Sequence, residues 1–203
     1  MLISPNGSIS DHESVEAPAG FSLIELMIVL SVLGILFAVG MPAFGRLLHN
    51  IEIRSSAEGL RAGIQKARTE AVTRNALVRI SFSNVSGRPA WTLGCVRSTL
   101  RCPATISSYS ANADTQIRWG SARSNDQIAL SQALAPGNRL PSGVTFNALG
   151  GAPGVESSAD AMRIDVTHLV NERARRLVLM ITAAGAVRLC DPSAESGSVL
   201  RCS

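Results

Sequence analysis

Lysine and aromatic side chains are scarce in this 203-residue sequence: Lys66 is its only lysine, and aromatics make up 4%. Any core must therefore be built from Val, Leu, Ile and Ala. The four cysteines form no Cys-x-x-Cys pair and have no histidine beside them, which excludes a zinc ribbon or a thioredoxin-like redox motif. No Gly-x-Ser-x-Gly nucleophile turn occurs, and the loop Asn147-Ala-Leu-Gly-Gly-Ala-Pro-Gly154 lacks the Lys-Ser/Thr ending of a phosphate-binding loop. His12, His49 and His168 are scattered. Asp165 and His168 are close enough to share a strand end, where a structural or exposed role is expected. No enzymatic activity, metal or cofactor is expected.

Basic residues are also missing before Phe21, where Asp11, Glu13 and Glu16 lie. Removing that segment would leave 19 bases against 12 acids. The strong bias to Arg fits either a phosphate-bearing partner or a compositional preference of the genome. Cys95 with Cys102 and Cys190 with Cys202 form two local pairs, read as disulfides closing short loops in an oxidising compartment.

What the chain does have is one long apolar run. Residues 21–41, FSLIELMIVLSVLGILFAVGM, carry a single charge, Glu25. As a helix this run is about 32 Å long, matching a hydrocarbon core of about 30 Å. A secretory signal peptide would have a basic start and a small-x-small site after the run, for which Ala38-Val-Gly40 is the one candidate. A plain membrane anchor would leave Glu25 unexplained, since a carboxylate in the membrane costs about 2.5–3.5 kcal/mol or more.

Gly20-Phe21-Ser22-Leu23-Ile24-Glu25 resembles the type IV prepilin signature. The resemblance implies cleavage by prepilin peptidase between Gly20 and Phe21, and N-methylation of Phe21. It also implies that Glu25 serves assembly by pairing with the free amine of a neighbouring subunit's first residue. The physics agrees: the cut creates a cation, and a buried carboxylate needs one. Pro42 is placed like the proline that bends pilin helices. Pilin leaders usually carry Lys or Arg; this one has none.

Beyond Pro42, Ile53, Ala57, Leu60, Ile64, Ala67 and Ala71 recur at steps of three or four, predicting an amphipathic helix with one stripe on a core. One helix from about 22 to 75, bent near Gly40-Met41-Pro42, fits the stretch. Strands are expected at Leu77–Phe82, Ala90–Val96, Val144–Phe146, Met162–Val166, Arg176–Ile181 and Ala186–Cys190, with loops at 107–127 and 147–160. The fold class is α+β: a long N-terminal transmembrane and amphipathic helix packed on an antiparallel β-sheet head, pilin-like.

The run Ala67-Arg68-Thr69-Glu70-Ala71-Val72-Thr73-Arg74-Asn75 resembles the FimT/GspH group of minor pilins and pseudopilins. FimT-type relatives bind DNA through a C-terminal Gly-Arg-x-Arg motif. Here it reads Gly185-Ala186-Val187-Arg188, so the first Arg is replaced. Arg188, Arg201, Arg176 and Arg173 are the candidate contacts to double-stranded DNA.

The expected organisation is a leader at 1–20, an assembly helix at 21–42, an amphipathic helix at 43–76 and a β-rich periplasmic head at 77–203 ending in a cysteine loop. The expected function is that of a FimT-like minor pilin helping to assemble a type IV pilus, with DNA binding during uptake as an added role. The alternative is a GspH-type pseudopilin of a type II secretion system. Expected partners are other pilin or pseudopilin subunits, prepilin peptidase and the inner membrane, crossed once.

Overall fold

The computed structural model describes residue 20 and residues 22–126, 128–134, 143–171 and 174–202, without the side chains of 39–43 and Arg46. The leader before Gly20, Phe21 and Arg173 lie outside the described residues, as does the side chain of Pro42. Two compact units divide between Ala43 and Phe44.

The secondary structure opens with α1, Leu23–Arg74. In the first unit every large apolar side chain from Leu23 to Phe37 is at least 42% exposed. Among the described residues, no helix is long and apolar enough to cross a membrane.

In the second unit the helix changes character. All six predicted stripe positions, Ile53, Ala57, Leu60, Ile64, Ala67 and Ala71, are at most 1% exposed. The helix ends at Asn75, which takes a left-handed φ of 49°. There Ala76 N–H donates to the Ala71 carbonyl and Asn75 N–H to that of Val72, a Schellman closure with Asn in glycine's usual place.

Among the described residues, two four-stranded antiparallel sheets follow. The first has the order β3-β2-β1-β5, built from β1 Val78–Val85, β2 Arg88–Cys95, β3 Ser107–Ser110 and β5 Val144–Phe146. The second has the order β4-β6-β7-β8, built from β4 Ile117–Ala122, β6 Arg163–His168, β7 Leu177–Ile181 and β8 Val187–Cys190. The β1–β2 hairpin turns on Ser86 and Gly87, both at positive φ, as the twist of a two-residue hairpin demands. A single core joins the α1 stripe to Val78, Ile80, Leu93, Phe146, Ile164 and Leu179.

Both tryptophans of the chain lie against α1. A Cβ on Gly63 would sit 2.9 Å from the Trp91 ring, so the helix backbone itself supports that indole. Trp119 donates from Nε1 to the Ser56 hydroxyl at 3.1 Å.

The six predicted strands are present with ends shifted by up to three residues. The stretches 107–127 and 147–160, expected as loops, hold β3, β4 and the short α2, Pro153–Glu156. Strand β3 is an outer strand made of Ser and Tyr, held by backbone bonds to β2 and burying little, so no apolar pattern announces it. In β4 the residues flanking Arg118 are all buried, which removes the alternation that marks a half-exposed strand.

Candidate functional site

The N-terminal site is read from Gly20 onward. A Cβ on Gly20 would meet nothing within 4 Å. Packing among the described residues therefore does not require glycine there. Glu25 lies in the first turn of α1, where the helix dipole favours a carboxylate. It is exposed among exposed Leu23, Ile24, Leu26 and Ile28, and among the described residues no ion pair reaches it.

The Ala67–Asn75 run is a docking device. Ala67 and Ala71, both fully buried, bring the helix close to the sheets. Arg68 donates from Nε to the Gly150 carbonyl at 3.0 Å. Arg74 pairs with Glu70 at 2.7 Å and donates through Nη1 to the Arg101 carbonyl at 2.6 Å, inside the loop closed by Cys95 and Cys102. Asn75 then closes the helix. Each charged member of the run thus holds a loop or its own helix.

Gly185 belongs to the same assembly. Its φ is +77°, and a Cβ would lie 1.9 Å from the Gly150 carbonyl oxygen. The glycine of Gly185-Ala186-Val187-Arg188 is set by this close approach, whatever the chain binds.

The candidate DNA contacts separate. Arg188, exposed on the outer strand β8, donates from Nη2 to the Arg201 carbonyl at 3.5 Å. The Cys190–Cys202 disulfide, with Cα atoms 5.0 Å apart, returns the chain so that Arg201 bridges to Asp191 beside that strand. Arg176 corrects the expectation. Its side chain is 14% exposed and binds Asp165 Oδ2 at 2.7 Å and the carbonyls of Gln132 and Leu130. A guanidinium so engaged offers nothing to a phosphate.

That ion network had no place in the sequence reading. Asp165 is fully buried and also accepts from Arg163 at 2.7 Å and from Leu134 N–H at 3.1 Å. Arg163 reaches on to the carbonyls of Ile128, Ala129 and Gln132. Two Arg around one Asp thus fasten 128–134 over the second sheet. The signal was Arg163-Ile-Asp165, whose i, i+2 spacing places two opposite charges on one face of a strand.

Asp191 is another buried acid. Burial pushes its carboxyl up, but hydrogen bonds from Ser193 and the ion-paired Arg175 guanidinium outweigh it and hold the group below its ordinary range. At the end of β6, His168 is also buried, so neither it nor Asp165 is exposed.

Residues 18–41 match the prokaryotic N-terminal methylation motif. That motif, together with an apolar helix and an α+β head, marks a membrane-anchored component of the pilin and pseudopilin class. The chain belongs to the family described as type II transport protein GspH, which matches residues 56–185. Among solved structures it is similar to the type IV minor pilin FimU of Pseudomonas aeruginosa, at 19% identity over 71% of this chain and 98% of that one, with a TM-score of 0.46. It is also similar to the minor pseudopilin EpsH of Vibrio cholerae, at 10% identity over 70% of this chain and 99% of that one, with a TM-score of 0.45. No curated protein matches it.

Proposed function

We propose that this chain is a minor pilin of a type IV pilus, cut between Gly20 and Phe21, methylated at Phe21 and inserted into the filament through the first half of α1. The observation that carries this reading is the uncovered apolar helix Leu23–Phe37 bearing Glu25, which has no ion pair among the described residues. Such a surface needs lipid before assembly and neighbouring subunits after it. Before assembly the apolar run 21–41, which extends beyond the described side chains, crosses the inner membrane once, and the disulfide-bearing head faces the oxidising periplasm. As divided in sequence, 1–20 is the leader, 21–42 the assembly helix, 43–76 the amphipathic helix and 77–203 the head.

The test is deletion of the gene in its host, scored for surface pili and for secreted protein. Loss of pili with secretion intact supports the proposal. Loss of secretion with pili intact assigns the chain to the second reading, a type II secretion pseudopilin, which the description of the matched family favours.

DNA binding, if the pilus takes part in uptake, falls to Arg188 and Arg201, which the Cys190–Cys202 loop brings together. Gel shifts with double-stranded DNA at two salt concentrations test it. Log affinity falls by about 0.9 per decade of salt for each phosphate neutralised, and Arg188→Ala with Arg201→Ala abolishes the shift. No shift at low salt removes the DNA role and leaves the filament role standing.

A further inference from the structure

The two ring nitrogens of His168 have opposite surroundings. The residue ends β6 with its side chain 2% exposed. Its Nδ1 accepts two backbone N–H groups, from Val170 at 3.2 Å and from Asn171 at 3.1 Å. A nitrogen that accepts carries no proton, so the neutral ring keeps its one hydrogen on Nε2. That Nε2 is buried, and among the described residues nothing partners it within hydrogen-bond distance. Glu52 Oε2 stands 3.8 Å away, too far to accept.

The ring also links two elements of the head. On α1, the His49 ring lies against it with centroids 4.2 Å apart. In the turn after β6, the Asn171 side-chain nitrogen lies 3.3 Å from His49 Nδ1, and Arg175 N–H donates to Asn50 Oδ1. On β4, Ile117 is the register partner of His168, and the neighbouring Gln116 carbonyl accepts from Leu169 N–H. Arg118, next along β4, alternates to the other face. Among the described residues, the titratable groups facing the ring are therefore His49 and Glu52, both on α1. The Glu52 Oε1 atom is already taken by Gln116 N–H at 2.9 Å.

We propose that His168 is an acid-sensitive clasp, fastening residues 170–171 just after β6 to residues 49–52 of α1 while its ring is neutral and releasing them when the ring is protonated. With Nε2 already bearing hydrogen, an arriving proton can bind only at Nδ1. That atom would then face two N–H donors with an N–H of its own, and both hydrogen bonds are lost. The new charge would be buried beside a second imidazole, with one carboxylate oxygen to offset it.

The direction of proton affinity agrees with this geometry. Burial, and then His49, lower it below the ordinary histidine range, with Glu52 opposing. The unfolded chain, or an opened turn, therefore takes up the proton first. Stability is fully present above the ordinary histidine value of about 6.5 and declines as pH falls from there toward the lowered folded value.

Hydrogen exchange on the full chain in detergent micelles, corrected for the intrinsic pH dependence of exchange, reads the clasp directly. Protection of the Val170 and Asn171 amides is expected to fall about tenfold between about pH 7.5 and about pH 5, while the β7 amides keep theirs. In His168→Asn the side-chain oxygen takes the place of Nδ1 without titrating, and the fall disappears. Ring-nitrogen NMR of the unaltered protein is expected to show the Nε2–H tautomer at neutral pH, and it decides the matter should the variant not fold. Unchanged protection in the unaltered protein, the same fall in His168→Asn, or a proton on Nδ1 at neutral pH would each overturn the clasp.

Discussion

Arg68 Nε and the Gly150 carbonyl oxygen meet at 3.0 Å across 82 residues of sequence, and that bond fixes the 147–151 turn to the last stretch of α1. Gly185 packs onto the same carbonyl, close beside the Arg68 guanidinium. Arg68→Ala is expected to destabilise the head by about 1–2 kcal/mol, since a charged donor to a carbonyl is lost from a partly exposed site. Gly185→Ala should cost more, about 2–3 kcal/mol, because the new methyl meets backbone and the left-handed φ is strained as well. Chemical denaturation of the two variants checks the order.

Asp165 holds two guanidiniums away from water. Asp165→Ala would leave both charges buried and unpaired, an expected loss of about 3–5 kcal/mol. Arg176→Ala should likewise be read out as instability. If Arg176→Ala instead weakened DNA retention with the melting temperature unchanged, the structural role assigned to it here would be wrong.

The C-terminal loop is tied both covalently and by charge. Opening it with Cys190→Ser and Cys202→Ser should cost about 2–3 kcal/mol by the loop-closure argument. Asp191 adds a pH dependence of known sign. Its carboxyl is held below the ordinary value, so its contribution is complete above about pH 4 and is lost as pH falls through the lower folded value. Proteolysis of residues 191–202 across that range should show acid-induced opening, and Asp191→Asn should abolish the pH dependence.

Glu25→Ala should leave cleavage after Gly20 intact, visible as a normal mobility shift on a gel, while impairing incorporation into filaments. Incorporation at the unaltered level would count against a charge pairing at that position. Gly20→Ala tests the other half of the site. A Cβ there meets no packing obstacle among the described residues, so a block in processing would reflect the peptidase's own requirement.

The helix was legible because its stripe obeys one spacing from Ile53 to Ala71, and a buried face on a helix leaves that mark in sequence. The methylation signature was legible because its glycine, aromatic and carboxylate fall within six consecutive residues. Strand β3 was not, because four residues of Ser and Tyr on a sheet edge owe their place to backbone pairing. Arg176 was misread for a related reason. Sequence gives the charge of a side chain but not the face it takes, and Asp165, which claims it, comes from strand β6. The glycine at Gly185 was seen as part of a binding pattern; its steric role depends on Gly150, which no local reading brings near it.

Both indoles of the protein report on one contact. Trp91 rests on the helix at Gly63 and Trp119 is bonded to Ser56, and neither is more than 8% exposed. Intrinsic fluorescence of this chain is thus a direct gauge of the seam between α1 and the sheets, with no label needed. Emission that stays blue-shifted through extraction, cleavage and assembly would mean that the seam survives each stage, and a red shift at one of them would date its opening.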